Sequence, residues 1–239
     1  MEGPYRDLGS GFARLTGTEG VRRGPSHINS VEDAFLELLR NSRDAGAHNI
    51  YVASSLQARR YRTLTVLDDG HGIPESYKDL IFEPGVTNRH LEAEPTSPTL
   101  NKSTSRGGQS LYHIKNIAID IKVPSTANPT SVQITLDTRT LPERALQAGT
   151  RLSHSNLRGT AQNFLASNAP NSKLTIYYGS PATIIATLLQ SHIIQTNETS
   201  GIDASFLVEE GERLGIVVSL RTIQRICRGE IEPVGKVVD

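Results

Sequence analysis

From Ser30 onward Val31, Ala34, Phe35, Leu38, Leu39 and Ser42 recur at spacings of three and four, the period of one buried helix face. Ser30 offers an N-cap oxygen, and Asp33 three residues later gives an imperfect capping box. Glu37, Asn41 and Asp44 follow at i, i+4 and i+7, so they share one stripe beside the apolar one. Two readings fit such a row: the solvated flank of an amphipathic helix, or a row of polar groups facing a ligand.

The segment Thr63-Leu64-Thr65-Val66-Leu67 is rich in β-branched residues and reads as a strand. It runs into Asp68-Asp69-Gly70-His71-Gly72-Ile73-Pro74. A carboxylate at a strand end followed by Gly-x-Gly sets an acceptor beside backbone that passes close to a planar ligand, although Asp-Gly is also an ordinary turn signal. On the helix, a carboxylate one turn from an amide oxygen suits a Mg-bound phosphate chain. Mg takes hard oxygen ligands and keeps several waters, so one Asn oxygen plus phosphates suffices and Glu37 is left to polarise a water.

Together, Glu37-x-x-x-Asn41-Ser42-x-Asp44-Ala45 and Asp68-x-Gly70-x-Gly72-Ile73 resemble the GHKL ATPase superfamily, whose branches include gyrase B, heat-shock chaperone ATPases, histidine kinases and MutL. The chain is most similar in character to the MutL-like and histidine-kinase-like members. The resemblance implies an α+β fold: a two-layer sandwich of a mixed, mostly antiparallel sheet and helices, the Bergerat nucleotide-binding fold, with a small C-terminal extension. It implies ATP and Mg as ligands. Asp68 then accepts from the adenine amino group, Asn41 ligates Mg, and Glu37 activates water for attack on the γ-phosphate. Asp44, Ala45, Gly70, Gly72 and Ile73 are the accompanying nucleotide-binding positions.

Further along, Phe82-Glu83-Pro84 looks like the histidine-kinase stretch that leads into a lid over the nucleotide, with Thr87 in reach of phosphate. The lid is expected over about residues 84–110, because Arg89 to Ser105 is polar and holds two prolines. It ends at Arg106-Gly107-Gly108-Gln109-Ser110-Leu111, which resembles the second Gly-rich box of the family and caps the phosphates at a helix N-terminus. The match departs from the family at Ser110, where kinases carry a second glycine, and at Gln109, which replaces an apolar residue. Arg158-Gly159-Thr160 resembles the Gly-Thr that begins a late core strand, and the resemblance gives Thr160 a role beside Asp68 at the adenine edge.

The domain expectation is an N-terminal arm at 1–29 with one short helix, a nucleotide-binding domain at 30–180, and a helical extension at 181–239. Residues 209–229 look like the two helices of a bacterial helix-turn-helix, although Val217-Val218 lengthens the turn and Gly215 to Leu220 also reads as a strand. DNA reading by this segment and a plain packing or dimer-contact role are both open.

Composition narrows the partners. With 25 basic and 25 acidic residues there is no global field to draw nucleic acid or membrane. The single cysteine and scattered histidines supply no disulfide framework or thiolate metal site. No apolar run approaches the roughly 18 residues of a membrane span, and the expectation is a soluble cytoplasmic protein without a membrane partner. ATP and ADP are the expected ligands, with homodimerisation on ATP binding and a DNA or protein partner as further expectations. Glu at position 37 favours hydrolysis, since histidine kinases usually carry Asn there; phosphotransfer to an external substrate and nucleotide-dependent DNA binding with little turnover are the alternatives. The sequence offers no clear counterpart for the phosphate-contacting Lys that a following domain supplies in gyrase and MutL, so slow intrinsic turnover is expected.

Overall fold

The computed structural model describes residues 5–9, 12–15, 28–87, 110–144, 156–168, 173–195 and 203–237. The expected short helix is not at residues 5–9 or 12–15, and residues 1–4, 10–11 and 16–27 of the N-terminal arm lie outside the described residues; the described part is extended. It forms a hairpin of β1 (Tyr5–Gly9) and β2 (Phe12–Leu15). The expected first helix is α1, Val31–Asp44. Ser30 Oγ accepts from the Asp33 N–H at 3.2 Å, and Asp33 Oδ2 accepts from the Asn29 N–H at 3.1 Å.

Strands β3 (Asn49–Gln57) and β4 (Tyr61–Asp68) follow as an antiparallel pair. Two 3-10 turns, Glu75–Tyr77 and Leu80–Phe82, lead to β5 (Val86–Thr87), which pairs with β2. The chain resumes as α2 (Ser110–Ile117), then β6 (Asp120–Ser125) and β7 (Thr130–Asp137). Next come α3 (Asn156–Ala166), β8 (Thr175–Gly179), and the helices α4 (Pro181–Gln190), α5 (Ala204–Arg213) and α6 (Leu220–Cys227). The main sheet has the order β6-β7-β4-β3-β8, antiparallel throughout except for the parallel β3–β8 pair. This is the expected α+β sandwich of a mixed, mostly antiparallel sheet and helices.

Strand alternation sorts the side chains by face. On one face Ile50, Val52, Leu64, Val66 and Ile134 form a core with α1, α2 and α3. On the other, Tyr51, Ala53 and Leu67 form a second core with α4, α5 and α6. The C-terminal extension is therefore a third layer on the back of the sheet. The chain then returns to the sheet edge, where Val237 N–H donates to the Ile176 carbonyl at 2.7 Å. A third, smaller core of Tyr77, Ile81, Phe82, Val86 and Val123 seats the 3-10 turns and β5. The hairpin is tied to it: Tyr77 Oη donates to the Leu8 carbonyl, and Arg14 pairs with Glu83.

One correction bears directly on function. Arg158-Gly159-Thr160 lies within α3 and begins no strand. Leu157, Ala161 and Phe164, at i, i+4 and i+7, form its buried stripe. The Thr160 hydroxyl donates back to the Asn156 carbonyl at 3.0 Å, a local bond common for Thr inside helices.

A charge pair ties the β3–β4 turn to the end of β7. Arg60 Nε donates to both Asp137 carboxylate oxygens, at 2.9 and 3.0 Å. The Arg60 bonds, helped by the Arg139 N–H, hold the Asp137 carboxyl at about 2, below its ordinary 3.8. Because the folded-state value is depressed, this stabilisation is complete above the ordinary value and is lost as pH falls toward 2. Asp137→Asn is expected to flatten that part of the stability profile, read by urea unfolding between about pH 2 and 5; a slope as steep as that of the unmodified protein would contradict the assignment.

Candidate functional site

The site gathers where the end of α1 meets the end of β4. Ser42 is on the buried stripe of α1, and its hydroxyl donates to Asp68 Oδ2 at 2.8 Å. The other carboxylate oxygen accepts from the Gly70 N–H at 3.0 Å. Asp68 is 6% exposed. Burial pushes its carboxyl above the ordinary aspartate value, and the Ser42 and Gly70 hydrogen bonds only partly oppose this. An isolated buried carboxylate is costly, and each of its oxygens retains a lone pair beyond the two bonds observed.

Asp69 has a different task. It accepts from the backbone N–H groups of His48 and Asn49, at 2.7 and 2.8 Å, and from Asn49 Nδ2 at 2.8 Å. Burial would raise its carboxyl, but those donors outweigh burial and the net direction is down. It anchors the start of β3 to the end of β4.

The two glycines are fixed by close approach. A Cβ on Gly70 would lie 2.7 Å from the Ala45 carbonyl oxygen and 2.9 Å from Asp68 Oδ1. Gly72 has φ +81°, and a Cβ there would lie 2.8 Å from the Thr126 carbonyl oxygen. The loop is also stitched by backbone bonds: His71 N–H donates to the Ala45 carbonyl at 3.0 Å, and Ile73 N–H to the Thr126 carbonyl at 2.8 Å. Gly70→Ala is expected to cost about 1–3 kcal/mol through overpacking, read as a lower urea midpoint. An unchanged midpoint would show that the end of α1 yields freely.

Glu37 and Asn41 lie about two turns and one turn before the end of α1, each half-buried. The Glu37 carboxylate pairs with Arg40, which fixes its rotamer. Asp44 sits at the helix end, where Arg43 donates to it at 3.1 Å. Ile73 packs in the small core under the 3-10 turns, and Leu111 packs against that core and the main one. Ser110 and Leu111 open α2. Thr87 is in β5. Arg106, Gly107, Gly108 and Gln109, with the expected lid from residue 88, lie outside the described residues.

Among the described residues, three buried side-chain polar atoms have no hydrogen-bond partner: Arg14 Nε, Asn41 Nδ2 and Thr130 Oγ1. Two of them are on residues linked to Asp68 by sequence or by strand register. Asn41 precedes Ser42, the serine that holds the Asp68 carboxylate. Thr130 opens β7 as the direct cross-strand partner of Asp68, and directly opposed residues project to the same face, with Cβ atoms roughly 5 Å apart. Leaving a buried polar atom unsatisfied costs about 1–3 kcal/mol, so a ligand that reaches both recovers that cost.

Sequence reasoning assigned the threonine near Asp68 to position 160 and missed Thr130. The signal that finds it is register: pairing Thr63–Leu67 with Ser131–Asp137 leaves Thr130 opposite Asp68. No group of three or more His, Cys, Asp or Glu side chains among the described residues gathers into a metal site. Any divalent cation would rest on the lone Asn41 amide plus its ligand's own oxygens. That amide can present oxygen in place of nitrogen by a half-turn of the side chain, so the donor fits a hard cation.

Residues 28–111 match the family described as "Histidine kinase-, DNA gyrase B-, and HSP90-like ATPase". Over 89 residues, 37% of this chain, the sequence is 35% identical to the DNA mismatch repair protein MutL of two strains of Thermus thermophilus and of Thermus aquaticus. The matched stretch spans 15% of the length of each of these MutL proteins. The family match includes Glu37, Asn41 and Asp68 and stops before Thr130.

Proposed function

We propose that this chain, whose residues 28–111 match the histidine kinase-, DNA gyrase B- and HSP90-like ATPase family, is a GHKL ATPase that binds ATP between α1 and the end of β4 and hydrolyses it slowly with Mg. The observation that carries the reading is the buried carboxylate of Asp68, with an unsatisfied buried atom on Thr130, its cross-strand partner, and another on Asn41, the residue before Ser42. Asp68 accepts from the amino group of adenine with a lone pair that Ser42 and Gly70 leave free. Thr130 stands at the same edge and takes the part that the resemblance gave Thr160. Gly70 and Gly72 let the loop after β4 lie close against Ala45 and Thr126, where a side chain at either would collide with backbone.

Asn41 turns its amide oxygen toward the phosphates and holds the cation. Bound there, Mg would neutralise the phosphate oxygens as charge moves onto the leaving group. Glu37 takes a proton from the attacking water, and Arg40 keeps its carboxylate oriented. The Gly107–Leu111 segment caps the phosphates at the start of α2, and Asp44, Ala45, Ile73 and Thr87 complete the surroundings. Closure of residues 84–110 over the nucleotide, or dimerisation, follows binding.

Phosphate release from ATP by the unmodified chain, with Mg and with the cation chelated, tests this reading. Release that is slow and Mg-dependent is expected. Release unaffected by chelation, or absent with every adenine nucleotide, would sink it.

A further inference from the structure

The helices behind the sheet have no part in the nucleotide site. They are nevertheless held by polar bonds that a mere cover would not need. Ser131 Oγ donates to the Leu214 carbonyl at 2.7 Å, Thr65 Oγ1 donates to the Gly215 carbonyl at 3.1 Å, and Gln133 Nε2 donates to the same carbonyl. Those three strand residues project from the back of β4 and β7 and fasten the connection between α5 and α6. The connection is also shaped by glycine. Gly215 has φ +77°, and a Cβ on Gly211 would lie 2.7 Å from the Ile216 carbonyl oxygen. With Ile223 and Ile226 buried, the opposite face of α6 must point outward.

We propose that this outward face of α6 docks on duplex DNA. Arg221, Gln224, Arg225 and Arg228 are all outward on α6, at i, i+3, i+4 and i+7 of one stripe. Residues 214–229 contain no acidic side chain, and among the described residues the countercharge paired with the stripe is Glu230, which meets Arg225 at 3.0 Å and Arg228 at 3.7 Å. The chain as a whole is neutral, and this stripe sets three arginines against the single Glu230. The strand alternative for residues 215–220 is corrected, since α6 begins at Leu220.

Three features favour duplex DNA over other polyanions. Arginine and glutamine are the side chains that pair bidentately with guanine and adenine edges. An α-helix, about 10–12 Å across with its side chains, fits a major groove about 12 Å wide, whereas the deep, narrow major groove of duplex RNA does not admit one. Leu220, 47% exposed, and Val217, 69% exposed, stand at the leading end of α6, where apolar groups can meet thymine methyls. The pair of helices follows helix-turn-helix logic, with the second helix presented and the first behind it. Its connection, Leu214 to Ser219, is longer than the usual turn of about three or four residues.

The test is fluorescence anisotropy of a labelled random-sequence 20-base-pair DNA duplex with the full chain, across a salt series. Binding is expected to weaken with salt at a log–log slope between about −2 and −3, the value for three arginine–phosphate contacts at about −0.9 each. The combined Arg221→Ala, Arg225→Ala, Arg228→Ala variant is expected to lose tenfold or more in affinity and most of that slope, with its urea midpoint and ADP binding unchanged. Arg59→Ala, on the exposed β3–β4 turn, is expected to bind as the unmodified chain does. Absence of duplex binding by the folded chain at low salt would overturn the proposal. So would full binding by the triple variant, or equal affinity for duplex RNA. Because ADP binding is read separately, failure here leaves the nucleotide reading standing.

Discussion

Asp68→Asn is expected to weaken adenine-nucleotide binding by about 10- to 100-fold while raising the stability of the fold. The binding loss follows from hydrogen-bond polarity. In the variant, Oδ1 keeps the Gly70 N–H and the amide nitrogen turns to Ser42 Oγ, which accepts as readily as it donates. With the adenine amino group accepted at Oδ2, the amide nitrogen that replaces that oxygen is a donor facing a donor. A lost hydrogen bond to a charged group is worth about 1.5–3 kcal/mol, which sets the expected range.

The stability gain follows from burial. The Asp68 carboxyl is raised in the folded state, so the folded chain binds more protons than the unfolded one between the ordinary aspartate value and the raised one. Stability therefore falls as pH rises through that window, and at neutral pH the ionised carboxylate costs stability. The neutral amide removes the cost. Calorimetric titration and urea unfolding at pH 7 read the two effects. A variant that binds like the unmodified chain, or that is less stable, would contradict the role given to Asp68. Trading stability for a function is what a binding site imposes on a core position.

Glu37→Gln is expected to reduce phosphate release by about 10²- to 10⁴-fold, the usual worth of a positioned general base, with ATP affinity changed by no more than a few-fold. Glutamine keeps the length of the side chain and its place on α1 but cannot take a proton. It also releases Arg40, which is 43% exposed and free to turn to solvent, so the fold is expected to tolerate the change. Single-turnover measurements with saturating nucleotide separate the chemical step from binding. Equal loss of binding and turnover would make Glu37 part of the binding surface instead; undiminished turnover would mean that another group activates the water.

Much of this site was legible in local sequence. The helical row of Glu37, Asn41 and Asp44 and the Asp-x-Gly-x-Gly turn each carry their own period or turn chemistry within a few residues. Thr130 was not, because its place depends on cross-strand register between segments about 60 residues apart. The Gly-Thr at 159–160 misled for the opposite reason: a two-residue signal was outweighed by the helical spacing of Leu157, Ala161 and Phe164. The N-terminal hairpin was hidden because its short strands have no strong alternation of their own and take their order from β5 and the small core beneath it. The polar residues Thr65, Ser131 and Gln133 are ordinary strand residues in sequence. Only the three-dimensional arrangement shows that they fasten the α5–α6 connection behind β4 and β7.

Titration of the unmodified chain with ADP and, separately, with GDP in a calorimeter tests the account most directly. A single saturable ADP site is expected, with GDP at least tenfold weaker, because guanine presents a carbonyl where Asp68 requires an amino group. No ADP binding, or equal affinity for the two, would contradict the claim that this buried carboxylate reads adenine.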